Sequence, residues 1–312
     1  MKKTFCILFA VLGLTVVSCN NDKGSHDFLM SPELPELKEK REKIETEISQ
    51  LKDHPWAGRY HFNNGHDTQE LVLAPENGFI LTFSWHFDAD FHSGTVDWDG
   101  SNVKLVVDDF QGSTINWATN SVEIISVPLD DNSPAGRRPI HTEYKPIRWG
   151  ERLYLIPASE IIDFCHTINM GYEPRSGERL GNHLLRRGDS EKEAKGKPEI
   201  PEEFMSHLLD EPVDAILVSV TTDPASRWPN NGIATVVLNK GKKDGLLPGM
   251  MLIAEHCNEI YWYTSVELTE VDETQSKGKM HYSNLPSGGR KHPDIGHQFS
   301  TRPKWMRRSQ SE

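Results

Sequence analysis

Long apolar runs are scarce in this chain of 312 residues. The notable one runs from Phe5 to Val17, broken only by Gly13 and Thr15. At about 13 residues it is shorter than the roughly 20 a helix needs to cross a hydrocarbon core, which argues against a permanent transmembrane helix. Basic residues are also in deficit. There are 34 Lys and Arg against 46 Asp and Glu, for a formal charge of −12. That balance argues against a nucleic-acid partner, which wants a basic surface. It argues equally against electrostatic attachment to anionic lipid. Catalytic signatures are missing as well. No Gly-rich phosphate loop precedes a helix, and neither a Gly-x-Ser-x-Gly elbow nor a His-Glu-x-x-His pair occurs. The sequence therefore points to no specific reaction and no cofactor.

What is present starts at the N-terminus. Met1-Lys2-Lys3 is a short basic opening, the apolar run follows, and Ser18-Cys19 closes it. This order of basic, apolar and small residues is that of a secretory signal. The stretch Val16-Val17-Ser18-Cys19 resembles the lipobox of bacterial lipoproteins. The resemblance implies cleavage after residue 18 and a mature chain that begins at a lipidated Cys19. A diacylglycerol, with or without a third acyl chain, clears the two-chain threshold for stable anchoring. The other reading is an ordinary cleaved signal with an incidental cysteine. After Cys19 come Asn20, Asn21 and Asp22. An aspartate directly after the cysteine is missing, which resembles outer-membrane sorting. The expected location is the cell envelope, on the outer membrane facing the periplasm, with the lipid on Cys19 as the membrane contact. Loss of Lys2 and Lys3 leaves the mature chain more acidic, at about −14.

The four cysteines shrink to two in that reading, because Cys6 leaves with the signal and Cys19 carries lipid. Cys165 and Cys257 remain, in a compartment that permits a disulfide. They lie on either side of a charged linker. A bridge between them is one reading, and two separate buried thiols is the favoured one. Neither has a neighbouring motif that would make it a nucleophile.

Residues 19–32 are a polar tether. Residues 33–53 hold a helix, from about Pro35 to Lys52. Leu34, Leu37, Ile44, Ile48 and Leu51 follow an alternating three-four spacing, with Arg41 in the polar slot. The stripe could form a short coiled coil that oligomerises the chain. It could also lie on the next domain, which is favoured because fewer than three heptads rarely hold a coiled coil alone.

From Trp56 the period changes to two. Short runs rich in Val, Ile, Thr and aromatics are separated by turn residues such as Asn63-Asn64-Gly65, Pro75-Glu76-Asn77-Gly78 and Asp99-Gly100. These predict an antiparallel meander over residues 55–170 that closes as a sandwich or barrel. Pro157 then opens a helix over Ala158–Asn169, with Ile161, Ile162, Cys165 and Ile168 on one face. Trp56-Ala57-Gly58-Arg59-Tyr60 resembles the first strand of lipocalin-like barrels. With Trp149–Ile156 it also looks similar to uncharacterised bacterial envelope proteins. Residues 171–202 are charged and read as a linker. The second domain spans residues 203–302 and ends in a short tail, 303–312. Its segment Asn239-Lys240-Gly241-Lys242-Lys243-Asp244-Gly245-Leu246-Leu247-Pro248-Gly249-Met250 packs two tight-turn dipeptides a few residues apart. It resembles a turn signature of small β-barrels in flagellar assembly proteins and rod-shape-determining envelope proteins, where the module serves assembly. Asn239, Gly241, Asp244, Gly245 and Gly249 carry the resemblance. The expected fold class is mainly β with a few helices (α+β): an N-terminal helix, an antiparallel β sandwich or barrel, then a second small β-barrel.

The most suggestive chemistry lies in Ser84–His92. On an extended strand His86, Asp88, Asp90 and His92 share one face, and Trp85, Phe87, Ala89 and Phe91 the other. Two imidazoles and two carboxylates suit Zn²⁺ or Mn²⁺. Residues two apart are separated by roughly 6.6 Å, too far for all four to hold one ion, so a site would need His61, His66 or a loop carboxylate. The favoured reading is a strand with its polar face outward and its aromatic face inward. Asp130-Asp131-Asn132 reads as a turn, with a Ca²⁺ loop as the lesser reading. Three functions follow, in order of weight: a non-enzymatic envelope binding or assembly module, a lipocalin-like small-ligand barrel, and a metal-dependent hydrolase using His86 and His92.

Overall fold

A computed structural model describes residues 34–51, 53–63, 67–85, 88–116, 121–126, 140–174, 183–222, 231–255, 264–283 and 294–304. The chain is mainly β with few helices, built as two closed antiparallel barrels. Among the described residues no helix is long and apolar enough to cross a membrane.

Helix α1 spans Pro35–Gln50, with proline in its first turn where a missing N–H costs nothing. The first barrel follows: β1 (Gly58–Asn63), β2 (Asp67–Ala74), β3 (Gly78–Trp85), β4 (Asp88–Trp98), β5 (Val103–Asn116), β6 (Ser121–Ser126), β7 (Glu143–Trp149), β8 (Arg152–Pro157) and β9 (Leu184–Arg186). Neighbours run β4-β3-β2-β1-β9-β8-β7-β5-β6, and β4 also pairs with β5. The ring therefore closes through all of these strands except β6, which extends from the far half of β5. Closure removes the free edges that an open sheet would present.

Period-two alternation sorts the barrel strands into two faces. Tyr60, Leu71, Leu73, Phe79, Leu81 and Leu155 fill the interior, and Trp56 packs with them. The Tyr60 hydroxyl donates to the Trp56 carbonyl at 2.8 Å, so the buried phenol keeps a partner. The outer face is covered in two places. Ile44 and Ile48 of α1 rest on Val72, Ala74 and Ile80, and Leu37 rests on Ala89 and Phe91. At roughly 1.5–3 kcal/mol per buried large aliphatic side chain, this stripe holds the helix to the barrel. Polar contacts fix its register. Glu47 accepts from the backbone N–H of Glu76 and of Asn77 at 3.0 Å each, and Glu45 pairs with Arg59. The stripe considered for a coiled coil is thus occupied within the chain.

Residues 171–202, expected as a linker, include β9, whose pairing with β1 and β8 completes the ring. Leu184 and Leu185 are buried there. Asp189 is buried too and accepts from Leu153 N at 3.0 Å and from Arg186 Nε at 3.1 Å. The charge of this stretch had masked a strand of only three residues.

Helix α2 (Ile161–Asn169) follows a 3-10 turn at Ala158–Glu160. Phe164, Cys165 and Ile161 pack on Ile147, Tyr154, Ile156 and Leu185, the outer face of β7–β9. Ahead of the second barrel, Glu202–His207 forms a 3-10 turn. The second barrel comprises β10 (Asp214–Thr222), β11 (Asn231–Leu238), β12 (Met251–Ala254), β13 (Ser265–Val271), β14 (Ser276–Ser283) and β15 (Gln298–Ser300), closed in the order β10-β11-β14-β13-β12-β15. Its core holds Leu217, Val236, Leu238, Leu252, Met280 and Phe299.

Candidate functional site

The strand that carried the metal expectation is β4, and its faces are the reverse of those expected. Leu81 lies opposite His92, and Phe83 opposite Asp90. Residues directly opposite share a face, and Leu81 belongs to the interior. Asp90 and His92 therefore face into the barrel, while Ala89 and Phe91 face out beneath Leu37 of α1. His92 is buried, with its ring 4.8 Å from that of Phe110. The sequence could not show this, because it does not say that a helix covers the outside of the strand and gives the aromatic face its apolar partner. Asp88 is also in β4; His86 lies outside the described residues. Among the described residues no group of three or more His, Cys, Asp or Glu is placed to hold a metal ion. Cys19 and Cys257 lie outside the described residues, as do His66 and the Asp130-Asp131 turn. Cys165 is a buried free thiol, and burial pushes its pKa up to about 12.

The turn motif of the second barrel is built as its residue types require. The Asn239 side chain accepts from Ile216 N at 2.7 Å and its own N–H donates to Ile216 O at 3.1 Å, which ties the end of β11 to β10. At Gly241 a Cβ would lie 2.3 Å from Asp272 O and 2.7 Å from Gln275 N, so only glycine lets the β13–β14 turn approach. The Asp244 carboxylate accepts from Lys240 Nζ at 2.8 Å and from Gly241 N at 3.1 Å. The Lys240 hydrogen bond, with help from the Gly241 N–H, holds that carboxyl below the usual carboxylate range. Gly249 has φ +85°, a left-handed conformation that other residues adopt only with strain. A Cβ on Gly249 would touch Ile162 of α2 at 3.4 Å, so this turn packs against the first barrel's helix.

Around α2 the two barrels meet. Asn169 is the hub: its Nδ2 donates to His207 O at 2.8 Å, its Oδ1 accepts from Leu209 N at 2.9 Å, and its carbonyl accepts from Arg302 Nε at 2.8 Å. Two imidazoles are buried nearby. His183 lies 4.9 Å from Phe164. Neither of its ring nitrogens has a hydrogen-bond partner among the described residues, and Nε2 of His166 on α2 has none. Burial drives both pKa values down to about 4, against weak opposition from Glu160 at His183. Asp163 is pushed the other way, by burial first and then by Glu160 and by Glu267 of β13. Sequence reading missed this junction, since Asn169 and His183 carry no motif.

A second missed feature is on the outer face of the second barrel. Ile216 and Val218 on β10 are each 41% exposed, Ile233 on β11 is 42% exposed, and Ile295 is 69% exposed. The signal was present: Ala215-Ile216-Leu217-Val218 is apolar on both faces of a strand, with Ala215 and Leu217 buried. Compared with protein-family models, with curated proteins and with solved structures, the chain gives no match.

Proposed function

We propose that this chain is a membrane-anchored lipoprotein of the cell envelope that acts as a non-enzymatic binding or assembly module. The lipobox-like Val16–Cys19 supports the anchor, on the outer membrane facing the periplasm. The exposed aliphatic face of the second barrel carries the binding role. Large exposed apolar side chains gathered on one face mark an interaction surface rather than chance exposure. The turn motif, which resembles that of envelope assembly modules, is used inside the chain to seat the second barrel on α2. The surface left for partners is then the outer face of β10 and β11.

Membrane fractionation of wild type and Cys19→Ser tests the anchor. The wild type is expected with membranes and the variant in the soluble envelope fraction; a variant retained on membranes contradicts the anchor. Crosslinking in cells tests the module: discrete adducts support it, and a chain that stays monomeric and uncrosslinked contradicts it.

A second reading, a small-ligand barrel, rests on Asp90 and His92 facing the interior of the first barrel. A ring of this strand number is just wide enough to be filled by side chains or to hold one small ligand. Quenching of tryptophan fluorescence by apolar ligands with a hydrogen-bonding head group tests it, with loss on His92→Leu expected and an unchanged titration against it.

A further inference from the structure

At one end of the first barrel the inward-facing side chains are of mixed character. The register sets Phe62 of β1 opposite Gln69, Gln69 opposite Phe83, and Phe83 opposite Asp90. The next level down aligns Tyr60, Leu71, Leu81 and His92 in the same way. Tyr60, Leu71 and Leu81 belong to the interior. Two residues along a strand restore the face, so the upper level faces inward as well. The lower level is closed, since His92 at 5% is the most exposed of the four. The upper level is open. Phe62 and Gln69 are buried, but Phe83 and Asp90 are only partly buried although they face the inside of a closed ring. Solvent therefore reaches them through the barrel end. Asp67, two residues nearer that end than Gln69, is partly buried too. On β5 the position opposite Asp90 is Gly112, which has no side chain to fill the level.

We propose that this mouth binds a small organic cation, an alkylammonium, as the ligand of the first barrel. Asp67 and Asp90 stand at inward positions on β2 and β4, the two strands that flank Phe83. Arg186, which enters the ring opposite Tyr60, is turned to the other end. There its Cδ lies 3.4 Å from the place a Cβ would take on Gly58, and its Nε donates to Asp189 at 3.1 Å. The mouth thus pairs carboxylates with phenyl rings, the combination that suits an ammonium: the carboxylate takes the charge, and a ring face attracts the same cation. Gln69 adds an amide oxygen that can accept a further N–H. The closed floor sets the size of the ligand. The two levels are roughly 6.6 Å apart along the strands, so the open part suits a short amine rather than a long-chain lipid. A carboxylate ligand would meet like charge here, and a neutral alcohol would forgo the charge-assisted bond.

The inference rests on the small-ligand reading of the first barrel and names the class of ligand. Ligand-observed NMR titration of the full-length chain in mild detergent tests it, with n-butylammonium, n-butanol and butyrate as probes. Butylammonium is expected to bind at least about tenfold more tightly than butanol, and butyrate most weakly, because a charge-assisted bond is the stronger one. Asp90→Asn should remove the preference for the cation while butanol binds as before. Gly112→Val puts a side chain opposite Asp90 and should weaken butylammonium and butanol alike. An unchanged circular-dichroism melt verifies that each variant folds. Butanol bound as tightly as butylammonium, or a cation preference that survives Asp90→Asn, overturns the ammonium assignment and leaves a small-ligand barrel. Binding that Gly112→Val does not weaken places the ligand elsewhere and overturns the site. No binding of any of the probes overturns the inference and the small-ligand reading together.

Discussion

Acidification should unfold the seam around α2 through its two buried histidines. His166 and His183 are neutral in the folded chain, with pKa values near 4. In the unfolded chain each returns to about 6.5. Between these values the unfolded state binds more protons, so stability is intact above about pH 6.5 and is lost as pH falls toward 4. At pH 5 the difference between the two proton-binding curves amounts to about 2 kcal/mol per histidine. Urea unfolding followed by tryptophan fluorescence at pH 7.5, 6 and 5 measures it. Carboxylates contribute loss in the same direction, so the comparison must be internal. His183→Leu removes one imidazole from an apolar seat against Phe164. Its loss between pH 7.5 and 5 should be smaller than that of the wild type by about 2 kcal/mol, and His166→Leu should behave likewise. Equal losses in wild type and His183→Leu would show instead that His183 is solvated or paired when folded.

Three further outcomes are expected. Gly241→Ala places a Cβ where Asp272 O and Gln275 N now approach. It should cost about 3 kcal/mol and melt the second barrel first, as read by hydrogen exchange of β11 and β14. Ile44→Ala removes the fully buried anchor of α1 and should cost about 2–4 kcal/mol independently of protein concentration; a concentration-dependent loss would show that α1 pairs with other copies instead. Asn169→Ala leaves His207 O and Leu209 N without their bonds, costs about 2–3 kcal/mol, and should open residues 201–213 to limited proteolysis while the barrels stay protected.

The strands of both barrels could be read from sequence because their signals are local. Period-two alternation from Trp56 onward and Asx-Gly or Pro-Gly turns mark pairs such as β2–β3 and the crossing into β12. Closure could not be read. It depends on β9, three residues in a charged stretch, pairing with β1 and β8 far along the chain. The orientation of Asp90 and His92 failed for a related reason. Alternation tells which side chains share a face, but the choice of inner face was set by α1, which supplies Leu37 as cover for Phe91. Asn239, Gly241, Asp244 and Gly249 had a recognisable spacing. The close approach of Gly249 to Ile162 did not, since it joins elements from different barrels. The aliphatic face of β10 was hidden in plain apolar content, where a strand buried on both faces reads the same as one exposed on one.

We propose that the mature chain begins at a lipidated Cys19, with both barrels held at the membrane by that lipid. Mass spectrometry of the N-terminal peptide from envelope-extracted protein tests it most directly. The expected result is a peptide that starts at Cys19, with residues 1–18 gone and the mass of a diacylglycerol, with or without a further acyl chain, on that residue. A peptide that retains residues before Cys19, or one that starts there with an unmodified thiol, would contradict it.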